Sequence, residues 1–133
     1  MNKKFITAVV VAFVMFTALG YLVHGYLLAD DYGRFPNLWR TAAETTKHMP
    51  FILLANLVMA VAFVWIYQQG HQNKSFVMQG LRYGIAMAAL VPAGKFITYF
   101  AIQPIPHSIA LHQILFDGAA IVLTSLVVAR IYK

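Results

Sequence analysis

Four apolar stretches govern what this chain can fold into. They run over about residues 5–28, 50–67, 80–102 and 109–128 of a 133-residue sequence. A helix rising 1.5 Å per residue needs roughly 20 mostly apolar residues to cross the hydrocarbon of a bilayer. Segments of that size leave only 29–49, 68–79 and 103–108 as connections, and nothing for a second domain. The composition agrees: 61% of the residues are hydrophobic and 11% charged, where soluble domains carry about 45–50% and about 25%. A chain this short has too little interior to hide so much apolar surface, so lipid must cover the remainder. The expected fold is all-α: one transmembrane domain over residues 1–133, an antiparallel four-helix bundle. A soluble enzyme, a disordered chain and a nucleic-acid-binding domain are excluded. With no cysteine in the sequence, disulfides, thiolate metal sites and cysteine nucleophiles are excluded as well.

Basic residues near span ends set orientation. Lys3, Lys4, Lys74, Arg82, Arg130 and Lys133 fall on one side; Arg34, Arg40 and Lys47 fall on the other. Six against three places both termini in the cytoplasm and the 29–49 loop outside, in a bacterial inner membrane. The net charge of +6, spread over segment ends, suits anionic lipid headgroups. Asn2-Lys3-Lys4 and Thr17-Ala18-Leu19-Gly20 resemble the two ends of a signal peptide. The apolar run continues to Leu28, so an uncleaved first span is expected.

The long loop carries local signals. Asp31-Tyr-Gly-Arg34 and Phe35-Pro-Asn37 read as turns. Thr41-Ala-Ala-Glu44 fits a capping box ahead of a short helix, and Pro50 suits the first turn of the second span. Phe35, Leu38 and Trp39 read as an interfacial anchor, with Tyr21, Tyr26, Trp65, Tyr67, Tyr83 and Tyr99 as an aromatic belt. Pro92, in Val91-Pro-Ala-Gly94, predicts a kink in the third span. Ala18, Gly20 and Gly25 in the first span and Gly84, Ala88 and Ala89 in the third predict faces for close helix packing.

Polar residues inside apolar spans are costly, and each is a candidate site residue. His24, Asn56, Lys95, His112 and Asp117 all fall at depths of roughly 5 to 12 Å from the outer end of their spans at the helical rise. Gln113 lies one turn before Asp117 on the same face. Lys95 and Asp117, at like depth on consecutive spans, are expected to pair, directly or through water, because an unpaired charge there is expensive; Thr98 and Tyr99 lie within a turn of Lys95. The plainer reading of that pair is a structural bridge; the functional one is a proton or ion pathway or an anionic-ligand site. Convergence of His24, Asn56, Lys95, Gln113 and Asp117 predicts an outward-facing polar cavity, closed below by apolar side chains. His24 and His112 together are a candidate axial pair for haem iron, although the chain has no haem motif. No catalytic residues, no metal site and no resident cofactor are expected. Nucleotide-loop, zinc-protease and nucleophile-elbow motifs are all missing.

The segments Tyr21-Leu-Val-His24-Gly, Asn37-Leu-Trp-Arg40, Asn56–Trp65, Gln79-Gly-Leu-Arg82-Tyr-Gly and Gln113-Ile-Leu-Phe-Asp117-Gly cover most of the chain. In them it resembles the small four-span inner-membrane proteins of bacteria for which no activity is known. The resemblance implies the same fold and carries no chemistry. The four-span glutathione-transferase-like enzymes match in size, but their second helix is rich in Arg and Glu and this one is almost purely apolar. The functional expectation is a non-enzymatic accessory or scaffold subunit, with the bilayer, other membrane subunits or a second copy of itself as partners and no nucleic acid. The alternatives are a small transporter or channel component built on Lys95 and Asp117, and a cofactor-holding subunit of a membrane redox complex.

Overall fold

The computed structural model describes residues 2–133, in which every regular element is helical. In chain order, α1 spans Lys3–Leu27, α2 Ala29–Gly33 and α3 Ala42–Lys47. Next come α4 over Met49–Gly70, α5 over Phe76–Ile102 and α6 over His107–Ile131. Helices α1, α4, α5 and α6 are long and apolar enough to cross a membrane. They coincide with the four apolar stretches. The largest offset is at α5, which starts at Phe76 because the Ser75 hydroxyl caps it, accepting a hydrogen bond from the Met78 N–H at 3.3 Å.

Other helix starts follow the local signals. The Asn2 side chain accepts from the Lys4 N–H at 3.0 Å. The capping box forms as predicted: the Glu44 N–H donates to the Thr41 hydroxyl at 3.2 Å, and the Thr41 N–H donates to the Glu44 carboxylate at 3.0 Å. The Thr41 backbone N–H, and then its hydroxyl, hold the Glu44 carboxyl below its ordinary value. Pro50 lies in the first turn of α4. Of the segment Asp31–Arg34, read as a turn, the first three residues belong instead to the short helix Ala29–Gly33; the turn read at Phe35–Asn37 overlaps a single 3-10 turn at Pro36–Leu38.

Helix α6 is the spine: α5 and α1 both pack along it, and α4 is joined mainly through α1. The core joins Ala8, Ala12 and Phe16 of α1, Ala60, Phe63, Val64 and Tyr67 of α4, and Ile121, Val128 and Ala129 of α6. Small residues set the spacing, because they let two helix backbones approach closely. A Cβ on Gly80 would lie 2.8 Å from the Leu126 Cα, and one on Gly84 2.9 Å from the Val122 Cα. The Ser125 hydroxyl crosses this seam and donates to the Gly80 carbonyl at 2.7 Å. The predicted close-packing face of the third span is therefore present at Gly84 and Ala88, the latter 3.7 Å from a Cβ placed on Gly118. That of the first span is corrected. Ala18 is exposed, Gly20 has open space around it, and Gly25 meets only the ring of Tyr21 on its own helix. Ala8 and Ala12, fully buried, do the packing instead.

Both α1 and α5 contain a widened π turn, at Tyr21–Leu27 and Ala89–Ala93. In α5 the cause is Pro92, which lacks the N–H an α-turn would use; the sequence predicts a kink at this residue, and the irregularity falls there as a widened turn. The turn in α1 contains no proline. It leaves the Leu28 N–H bonded to the Val23 carbonyl five residues back, at 2.8 Å, and it holds His24.

Candidate functional site

Leu28, fully buried, ends α1 and turns the chain into α2, whose first turn bonds back to it through the Tyr32 N–H at 2.9 Å. This folds Asp31 and Tyr32 over the end of the bundle, where α6 begins. The Gln113 amide N–H donates to the Tyr32 hydroxyl at 3.1 Å. The Tyr32 oxygen lies 2.6 Å from His24 Nδ1, and the two rings are parallel. His24 Nε2 lies 2.9 and 3.0 Å from the two oxygens of Asp117. Beside this group His112 Nδ1 meets the Asp31 carboxylate at 2.9 Å.

Proton bookkeeping gives the chain a direction. Tyr32 accepts from Gln113, so its own proton is free to go to His24 Nδ1; Nε2–H then donates to Asp117. A neutral imidazole and an ionised carboxylate satisfy every atom except one: the buried Oε1 of Gln113 has no partner. The same heavy atoms also suit a doubly protonated His24. Nδ1–H then donates to Tyr32, and the Tyr32 proton goes to a Gln113 amide turned through half a rotation, which places Oε1 on the hydroxyl. Both arrangements give each nitrogen of the His24 ring a partner, and each leaves one end of the Gln113 amide buried without one. Burial first, and then the carboxylates of Asp117 and Asp31, push the Tyr32 hydroxyl up to about 12 against the lowering effect of the Gln113 bond. Tyr32 therefore stays a neutral hydroxyl across the physiological range.

The site residues read from the sequence separate into three groups. His24, Gln113 and Asp117 come together, and His112 lies alongside, bonded to Asp31. Lys95 does not pair with Asp117. It is exposed, with its ammonium 4.4 Å from the centroid of the Phe96 ring; Phe96, buried and 6.3 Å from the His24 ring, is what α5 presents to the site. One residue is about 100° of helix rotation, enough to turn Lys95 away. Asn56 is also apart: its amide donates to the Thr17 hydroxyl at 3.2 Å. The Thr98 hydroxyl goes to the Gly94 carbonyl on its own helix. The expected polar cavity is not at either of the two best-formed surface clefts. The best-formed surface clefts are shallow and apolar, one edged by Asn2, Phe5, Trp65 and Gln68, the other by Ile97, Phe100, His107, Ala110, Leu111 and Ile114; neither includes His24, Gln113 or Asp117. The polar side chains consume one another's hydrogen-bonding capacity.

Each histidine of the candidate haem pair is bound to a carboxylate of its own, and both nitrogens of His24 are engaged. Axial ligation requires Nε2 to leave Asp117. Among the described residues no group of three or more His, Asp or Glu side chains has metal-binding geometry. Sequence reasoning missed Tyr32 and Asp31, which it placed in a turn of the 29–49 loop. Helical spacing from His24 does not find them, because the π turn at Tyr21–Leu27 alters the phase and the helix ends at Leu28.

No family model, no curated protein and no solved structure matches this chain.

Proposed function

We propose that this chain is a multi-pass protein of a bacterial inner membrane, related to the small four-span proteins it resembles. In this reading it is an antiparallel bundle with both termini in the cytoplasm, acting as a non-enzymatic accessory or scaffold subunit. The observation that carries the functional part is the closure of the polar group. His24, Tyr32, Gln113 and Asp117 bond to one another, so the polar residues that a substrate site would use serve to fasten α2 and α1 to α6. Function then falls to the helix surfaces. Helix α4 offers the broadest: it is held mainly by α1 and exposes Phe51, Leu54, Val58 and Trp65. The orientation is supported by the distribution of Lys and Arg near the span ends, six on one side against three on the other. Native mass spectrometry of the protein extracted in mild detergent tests the scaffold reading. A stoichiometric complex with another membrane protein, or with a second copy, is expected; a bare monomer under the gentlest extraction overturns it.

A second reading has its own support in the two proton arrangements of the Gln113–Tyr32–His24–Asp117 chain. A hydrogen-bonded run that serves both protonation states of a histidine is a proton-handling element, with His24–Asp117 in the place the sequence assigned to Lys95–Asp117. Proton flux in proteoliposomes, abolished by His24→Gln, distinguishes it from the scaffold reading.

A further inference from the structure

At its C-terminal end α6 brings two cations to one ring. The Arg130 guanidinium lies 5.3 Å and the Lys133 ammonium 5.7 Å from the centroid of the Phe76 ring, at the start of α5. Cation–π contact explains why each is there singly. It does not explain two like charges on one ring without a counter-charge. The ion pairs among the described residues join His24 to Asp117 and His112 to Asp31, and neither involves Arg130 or Lys133. Asp117, the acidic residue of α6, lies thirteen residues before Arg130, about 20 Å along the helix and beyond the roughly 8 Å over which salt lets exposed charges act.

The surface beside these cations is apolar. Val77, Met78 and Leu81 follow Phe76 on α5 and are exposed, and Arg82 comes directly after them, also exposed. A free inorganic anion would use the charges and leave the apolar strip bare. A nucleic-acid backbone would set polar sugars against it. A ligand that carries a phosphate at the head of long acyl chains matches both features.

We propose that Arg130 and Lys133, held on Phe76, form a site for the phosphate of an anionic phospholipid, whose acyl chain lies along Val77, Met78 and Leu81. The site rests on the reading of the long helices as membrane spans. It is independent of the scaffold role and of the His24 group.

The test uses the full chain in a neutral detergent, with binding read by native mass spectrometry and by the rise in melting temperature. Phosphatidylglycerol is expected to bind and stabilise, while phosphatidylcholine and inorganic phosphate do not. The Arg130→Gln/Lys133→Gln double variant is expected to bind phosphatidylglycerol about thirty-fold more weakly, the effect of two basic residues near an anionic surface. Arg40→Gln/Lys47→Gln removes the same charge from the 29–49 loop and is expected to bind normally. Lys133→Gln alone, at the last residue, gives an intermediate loss and covers the case in which the double variant does not fold. Equal binding of phosphatidylcholine, an equal loss in the Arg40/Lys47 variant, or stabilisation by phosphate alone overturns the proposal. A chain that purifies as a dispersed protein without detergent overturns the membrane reading instead.

Discussion

Near its start, α6 is joined to the rest of the chain by directional polar contacts, Asp117 to His24 and Gln113 to Tyr32. Towards its end it is joined to α5 by the lack of side chains at Gly80 and Gly84. The two arrangements solve different problems. A small-residue seam fixes how closely two helices approach. There a single directional contact, from the Ser125 hydroxyl to the Gly80 carbonyl, acts on rotation, and the bare backbone itself presents little to grip. Hydrogen bonds act over one distance and one direction, so the polar end fixes rotation. It also ties down α2, which has no apolar face to bury. The seam belongs to two helices adjacent in the chain. The polar end links residues 93 apart in sequence, and so closes the bundle.

The largest effect is expected at the seam. Gly84→Leu drives a side chain into the backbone of α6 at Val122, and a loss of about 3 kcal/mol is expected, at the upper end of overpacking costs. Denaturation in mixed detergent micelles measures it. Gly20→Ala, with open space around it, is expected to be neutral or slightly stabilising, as alanine usually is within a helix. Equal stability of Gly84→Leu and wild type would remove the seam from the comparison.

A smaller effect separates the two candidate partners of Asp117. A double-mutant cycle on His24→Ala and Asp117→Ala is expected to give a coupling of about 1 kcal/mol, within the range found for polar contacts between membrane helices. The cycle on Lys95→Ala and Asp117→Ala is expected to give none. Reversal of the two results would restore the pairing read from the sequence.

An effect of the same size concerns the hydroxyl that ties α2 down. Tyr32→Phe leaves His24 Nδ1 and the Gln113 amide without their shared partner, a loss of about 1 kcal/mol. Faster proteolysis within residues 29–48 should accompany it. The pH dependence has a definite sign. The folded-state value, about 12, lies above the ordinary 10.0. The protonated hydroxyl therefore stabilises the fold fully below pH 10 and loses that contribution as pH rises to about 12. Wild type should lose stability relative to Tyr32→Phe over that interval, and the difference in tyrosinate absorbance between them should titrate near 12. A difference centred at 10 would show that Tyr32 is not enclosed.

By itself the sequence determined what depends on residues close together in the chain. The four long helices follow from runs of apolar residues, the Thr41–Glu44 cap from side chains three apart, and the place of the break in regular α-helix within α5 from the missing N–H of Pro92. Depth was legible too, because a helix rises by a constant step: His24, Gln113 and Asp117 were placed in one layer and meet there. Tertiary structure alone decided rotation and partner. Lys95 and Phe96 differ by one step in depth and by about 100° in direction, so a depth argument could not tell which of them faces His24. The π turn at Tyr21–Leu27 changes the phase of α1 where His24 stands, with no proline to announce it. Tyr32 and Asp31 reach the site only because the chain folds back over the bundle after Leu28, and the pattern of a short polar segment does not encode where it will come to rest. Which polar groups satisfy one another is settled by all the helices at once, since each bond formed removes a donor or acceptor from every competing arrangement.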